Sequence, residues 1–265
     1  MTKRSLFMLL CLVLVAVLLV TVGCGGGKKE PAPTTGGGSA GPAKTVLKVG
    51  TEAAYAPFEY EEGGKITGFD IELIQAIAEA AGMEAKVSHV EWDGLFPALD
   101  AGTIDVVISA MTITEDRLKE VDFSDPYFEA RQIIVVKQGS TISGIKDLVG
   151  KKVGVQMNTT GHYAVEAIPG MDEKHIIPYP TTPDALMNLI NGSVEAVVAD
   201  EPVALNFIKH NPEMKLATVT DDFEKEYYGI AMKKNSPLLE QINQGLKKVK
   251  ESGKYQEIYN KYFGK

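Results

Sequence analysis

The sequence predicts an α/β protein made of two similar units facing each other. Three observations carry this. Short β-branched runs alternate with helical segments along residues 44–265, the signature of layered α/β structure. Leu99-Asp-Ala-Gly-Thr-Ile-Asp-Val-Val-Ile-Ser109 is echoed by Leu189-Ile-Asn-Gly-Ser-Val-Glu-Ala-Val-Val-Ala199, at an offset of 90 residues. Both run from a helix end through Gly, a small hydroxyl, an apolar residue and an acid into a strand. Lys48-Val49-Gly50 likewise returns as Lys152-Val153-Gly154. Ligands of open α/β sheets bind beyond the carboxyl ends of the strands. A cleft between the units would therefore be lined by Glu52 to Phe58, Ser109 to Arg117, Gln156 to Gly161, and Asp200.

Taken in order, Val46 to Thr51 reads as the first strand. Asp70 is expected as a helix N-cap, followed by Ile71, Ile74, Ile77, Ala78 and Ala81 at helical spacing, with Gly82 as the stop. Val87 to Val90 is a strand, and the unbroken apolar run Ile104 to Ser109 is a strand buried on both faces. Gln132 to Lys137, Lys152 to Gln156, His175 to Pro178 and Val194 to Ala199 are further strands. Helices fill the intervals at Tyr163 to Ile168, Pro183 to Ile190 and Val203 to His210. Two more close the chain, one opened by Ser236-Pro237 and one around Tyr255 to Phe263. Asp122 and Asp125 are expected to shape the crossover into the second unit.

The N-terminus is an address rather than part of the fold. Lys3 and Arg4 precede an apolar stretch from Leu6 to Val20, the n- and h-regions of an export signal. Val22-Gly23-Cys24 comes next and resembles a bacterial lipoprotein processing site, although Thr21 stands where that motif usually has Leu. The expectation is a signal over 1–23, a lipid on Cys24 and a Gly/Pro/Ser-rich tether over 24–43. An uncleaved membrane anchor is the alternative. Either tethers the protein at the outer face of the cell membrane. Cys11 falls within the signal, so no disulfide is expected. Gly36-x-Gly38-x-x-Gly41 and Gly37-x-Ser39-x-Gly41 match dinucleotide and hydrolase motifs by letter, but lack the flanking strand and helix those mechanisms need.

The net charge of −8 and the lack of a basic run argue against a nucleic-acid partner. His89, His162, His175 and His210 show no H-E-x-x-H spacing, so neither a metal site nor a cofactor is expected.

Several motifs in order give the chain its resemblance to a family. They are Gly50-Thr-Glu-Ala-Ala-Tyr-Ala-Pro-Phe-Glu59, Gly68-Phe-Asp-Ile-Glu-Leu73, Met111-Thr-Ile-Thr-Glu-Asp-Arg117 and Asp122-Phe-Ser-Asp-Pro-Tyr127. Val153-Gly-Val-Gln-Met-Asn-Thr-Thr-Gly161, Ala199-Asp200-Glu-Pro and Ser252-Gly-Lys-Tyr-Gln-Glu-Ile-Tyr259 complete the set. Across 44–265 the chain resembles the polar amino-acid family of bacterial extracellular solute-binding proteins. The resemblance implies the two-lobed periplasmic-binding-protein fold (type II), with one lobe from 44–128 and 230–265 and the other from 129–229. It also implies a monomer that closes on a free amino acid and delivers it to the permease of an ABC importer.

Within that resemblance Arg117 is the ligand-carboxylate anchor, assisted by Thr112 and the N–H groups around Thr159 and Thr160 at a helix N-terminus. Asp200 is the ammonium counter-ion, with the Ala110 carbonyl as acceptor and Ser109 and Met111 alongside; Asp200 could also cap the helix after it. Tyr55 and Trp92 are aromatic walls, with a place in the core as the lesser alternative for Trp92. Glu52 at the pocket floor and an uncharged Gln156 favour arginine or lysine over glutamine. A periplasmic dehydratase acting on prephenate-like acids is the enzymatic alternative, and it would need a second cation. A sensor domain would need a signalling module or membrane span downstream, and neither is expected.

Overall fold

The computed structural model describes residues 44–264. The signal 1–23, Cys24 and the tether to residue 43 lie outside the described residues. The first half of the chain forms β1 (Thr45–Thr51), the three-stranded antiparallel flap β2 (Ala54–Tyr55), β3 (Glu59–Glu62) and β4 (Lys65–Thr67), then α1 (Phe69–Ala80) and β5 (Met83–His89). It continues with α2 (Leu95–Ala101), β6 (Val106–Val107), α3 (Arg117–Glu120), β7 (Val121–Phe123) and the long β8 (Phe128–Lys137). The second half forms β9 (Val153–Gln156), α4 (Thr160–Glu166), β10 (Ile176–Tyr179), α5 (Thr182–Asn191), β11 (Ala196–Asp200) and α6 (Glu201–His210). After it come β12 (Leu216–Val219), β13 (Lys225–Tyr228), β14 (Ala231–Lys233), α7 (Leu239–Glu251) and α8 (Lys254–Phe263).

Beside the flap, the strands make two larger sheets and hence two lobes. The first has the order β5-β1-β6-β14-β7, with β5, β1 and β6 parallel and β14 antiparallel to both neighbours. The second has the order β10-β9-β11-β8-β12, with β10, β9 and β11 parallel and β8 antiparallel to β11 and β12. Each sheet is covered by apolar residues on both faces, which is why its central strands are unbroken apolar runs. The chain passes between sheets through β8 and β13, which pair antiparallel from Phe128↔Tyr228 to Arg131↔Lys225. Phe128 stacks on Tyr228 (5.6 Å, 17°) and meets Phe58 edge-on (4.9 Å, 88°) in an aromatic cluster that also holds Phe69 and Phe263. The crossing is thereby anchored in the first lobe's core.

The repeated sequence pattern is a repeated structural device. In the first lobe the Asp105 carboxylate accepts the Lys48 N–H (2.8 Å), and the Asp105 N–H donates to the Lys48 carbonyl (2.8 Å). In the second, Glu195 does the same to Lys152 at 3.2 and 2.8 Å. The helices before them, α2 and α5, both end on a left-handed glycine, Gly102 (φ 70°) and Gly192 (φ 80°).

Two local expectations are corrected. Asp70 does not cap α1: the helix starts at Phe69 after Gly68 (φ 131°), where a Cβ would lie 2.1 Å from the Phe58 carbonyl oxygen. The Asp70 carboxylate is turned inward and accepts from the Ala110 N–H (2.8 Å) and the Tyr127 hydroxyl (2.7 Å). The run Ile104 to Ser109 is buried except at the half-buried Asp105, but pairs as a strand only at Val106–Val107, because the chain turns into a left-handed Ala110 (φ 43°). Asp122 ties β7 to the turn after β14, accepting from the Lys234 ammonium (2.9 Å) and the Asn235 N–H (2.6 Å). Strands β2–β4, β7 and β12–β14 were not anticipated from the sequence.

Candidate functional site

Four strand ends point into the space between the sheets. Glu52 comes directly after β1, Ser109 lies just beyond β6, Gln156 ends β9 and Asp200 ends β11. A narrow void of about 20 Å³ lies among them, lined by eleven of the twelve residues nominated from the sequence: Glu52, Tyr55, Trp92, Ser109, Ala110, Thr112, Arg117, Gln156, Thr159, Thr160 and Asp200. Met111 is the exception. It is buried with Leu95, Val107 and Val121 and borders the wider adjoining cleft instead.

Opposite charges face the void from opposite lobes. The Arg117 guanidinium lies 5.3 Å from the Trp92 ring centroid and donates to the Thr112 carbonyl (2.9 Å). Burial lowers its pKa from the ordinary value, and the negative charge of Glu226, then of Asp200, opposes that shift. Asp200 is 6% exposed and accepts from the Tyr228 hydroxyl and from the Gln132 amide. Burial, and then the charge of Glu226, push its pKa up to about 7. No side-chain capping bond joins it to α6.

At the other end of the void Glu52 is 2% exposed and bonded to Gln156, whose amide nitrogen donates to both carboxylate oxygens (3.0 and 2.8 Å). The Thr182 hydroxyl donates to the Gln156 amide oxygen (2.9 Å), which fixes the amide's orientation. Burial raises the Glu52 pKa to about 7, partly offset by Gln156. Trp92 also reaches across the cleft, donating to the Asn158 carbonyl (3.2 Å), while Asp93 accepts from the Asn158 amide (2.9 Å). Tyr55 turns its hydroxyl to Asp200 and lays its ring against Phe58 (6.4 Å, 28°). Thr159 caps α4 by accepting the His162 N–H (3.2 Å).

Behind the pocket wall lies a buried acid pair that sequence reasoning did not place at the site. Glu59 accepts from the Ser109 hydroxyl (2.9 Å), which itself accepts the Glu52 N–H (3.0 Å). Burial pushes both Glu59 and Asp70 above the usual carboxylate range, and the charge of Asp70 raises Glu59 further. Gln132 and Glu226 were also missed. Their side chains face inward only because of where β8 and β13 sit, and no motif marks that register. Among the described residues no cluster of three or more His, Cys, Asp or Glu side chains could hold a metal ion, and no helix is long and apolar enough to cross a membrane.

The arrangement offers a half-buried cation and a buried anion from opposite lobes, with hydroxyl donors, at one end of a narrow cleft and an acid–amide pair at its far end. Comparison with known proteins bears on what such a site serves. The protein is 41% identical over 247 residues to a probable histidine-binding protein of Neisseria gonorrhoeae, covering 91% of this chain and 90% of the relative. Its structure is similar to that of the arginine-, lysine-, histidine-binding protein ArtJ from Geobacillus stearothermophilus, with 48% identity and a TM-score of 0.81 over 83% of this chain and 96% of that one. It is also similar to an ancestral arginine-binding protein bound to glutamine, with 45% identity and a TM-score of 0.78 over 84% and 100% of the two chains. Residues 47–265 match the sequence profile of a single family, and the chain belongs to the bacterial extracellular solute-binding proteins, family 3.

Proposed function

We propose that this protein captures a basic amino acid, arginine first and lysine next, for an ABC importer. The observation that carries this reading is the pairing of Arg117 and Asp200 across one void, with Glu52 buried at its far end. An α-amino acid brings a carboxylate and an ammonium, and each needs an opposite charge once water is excluded. Arg117, with Thr112 and Thr160, takes the carboxylate; Asp200 and the Ala110 carbonyl take the ammonium. Glu52 then faces a guanidinium or ammonium head, with Trp92 beside its methylene stem. The similarity to proteins that bind arginine, lysine and histidine supports the same choice.

Glutamine is the second reading. It is favoured by the Glu52–Gln156 bonds, which already satisfy both oxygens of the acid with an amide donor. The site binds rather than transforms: among the described residues Arg117 is the only cation lining the void, and a dehydratase acting on a dicarboxylate would need another.

The lobes 44–128 with 230–265 and 129–229 close over the ligand about the β8–β13 strand pair, and the protein acts as a monomer. A lipid on Cys24 holds it beside its permease, so Cys24→Ala should release it from the membrane fraction.

The test of the ligand is a thermal-shift screen of the twenty amino acids, since a ligand that binds only the folded state raises stability by mass action. Arginine and lysine should give the largest shifts. A large shift with glutamine and none with arginine would replace the first reading with the second.

A further inference from the structure

The hydroxyls that would hold the ligand's carboxylate already have a partner inside the protein. One oxygen of Glu226, Oε2, accepts from both the Thr112 hydroxyl (2.7 Å) and the Thr160 hydroxyl (2.8 Å). The other, Oε1, accepts from the Gln132 amide (3.0 Å). Of the charges acting on Arg117, Glu226 is the one that most strongly favours its charged form. Glu226 therefore meets the same donors and the same cation that an amino-acid carboxylate would meet.

Resting on the arginine reading, we propose that Glu226 is an internal occupant of the α-carboxylate receptor, which the ligand's carboxylate must displace. A hydroxyl has one hydrogen to donate, so Thr112 and Thr160 cannot serve both carboxylates at once. Like charge excludes sharing as well. A second carboxylate beside Glu226 would face Asp200 too, since the Gln132 amide donates to both acids, and among the described residues Arg117 is the single cation lining the void. Thr112 lies beyond a strand of the first sheet, whereas Thr160 and Gln132 belong to the second lobe. The carboxylate that occupies the receptor thus also ties the two lobes together. Glu226 lowers affinity for every α-amino acid by the free energy of its own contacts, independently of the side-chain pocket around Glu52.

Calorimetry on the full chain in detergent, with Glu226→Gln against wild type, tests this. L-arginine carries the carboxylate, and agmatine is the same molecule without it. The amide keeps the shape of Glu226 but removes the charge that competes for Arg117. L-arginine should bind the variant about tenfold more tightly, the effect of removing one charge-assisted contact, while agmatine gains nothing. Glu226→Asp, one methylene shorter, should give a smaller gain of the same sign and serves if the amide variant does not fold. Wild type that binds arginine beside variants that bind it equally or more weakly overturns the displacement and leaves the receptor standing. Equal gains for arginine and agmatine also overturn it, because the effect would then not concern the carboxylate. If the wild type binds no α-amino acid, the reading beneath the proposal falls and the proposal with it.

Discussion

The two lobes use one scaffold and end it in opposite chemistry. In both, an acid after a Gly-hydroxyl-apolar step clamps the preceding strand, Asp105 on Lys48 and Glu195 on Lys152. In both, parallel strands deliver their last residues to the same cleft. The residues beyond those strands differ. The first lobe brings the cation Arg117 but surrounds its strand ends with buried acids, Glu52, Glu59 and Asp70. The second brings the anion Asp200 beside the acid Glu226, with the Gln132 amide donating to both and to the Thr160 hydroxyl. The scaffold is indifferent to its cargo, and a few side chains past each strand end decide what the cleft can hold.

The contrast breaks most visibly at the cation of the first lobe. Arg117→Ala should abolish binding of every α-amino acid, a loss of about 2–5 kcal/mol, because a desolvated carboxylate is left without its counter-charge. A loss below tenfold by calorimetry would remove Arg117 from that role.

The acid of the first lobe sharpens the comparison. Glu52→Gln should weaken arginine by about 1.5–3 kcal/mol, the range for hydrogen bonds to charged groups, and glutamine by about 1 kcal/mol. The pH profile gives an independent check. With its pKa raised to about 7, Glu52 is partly protonated near neutrality. A cationic ligand favours the ionised form, so arginine affinity should rise from pH 6 to 8 and binding should release protons. The rise should be smaller in the amide variant, where only Asp200, raised to about 7 as well, still titrates against the ligand's ammonium; equal rises in the two proteins would contradict the Glu52 contact.

The shared scaffold can be tested for how closely its two copies are packed. A Cβ on Gly50 would sit 2.4 Å from Ile104 Cδ1, whereas one on Gly154 would meet Val197, Tyr179 and Val194 at 3.2–3.3 Å. Gly50→Ala should cost about 1–3 kcal/mol by overpacking, and Gly154→Ala about 1 kcal/mol, measured by urea unfolding. The reverse order would mean that the second lobe is the tighter copy.

The smallest effect concerns the anion of the second lobe. The Asp200 pKa is raised from 3.8 to about 7, so the folded state holds its proton more tightly than the unfolded chain does. That stability is complete below about pH 3.8 and is lost as pH climbs through about 7. Without ligand, wild-type protein should therefore lose a few degrees of melting temperature relative to Asp200→Asn between pH 5 and 8, at about 2–4 °C per kcal/mol for a protein of this size. Parallel melting curves for the two proteins across that range would show that Asp200 titrates as an ordinary surface carboxylate.

The α/β class, the internal repeat and the eleven residues around the void were legible in the sequence, because each depends on local information. Strand ends can be placed from apolar runs and their punctuation, and the site lies where parallel strands end. Motifs read in order supplied the functions assigned to Arg117 and Asp200. The tertiary structure alone decided the rest. Asp70 looks like a cap from its neighbours, yet bonds to Ala110, forty residues away. Glu52 and Gln156 are 104 residues apart and become partners only when the lobes meet. Glu226 carries no motif, and its inward aim depends on the register of β13 against β8, Glu226 opposite Ala130. A one-residue slip of that pairing would turn the side chain to the other face. Local sequence fixes the period of a strand, but only long-range packing fixes which face of it meets the cleft.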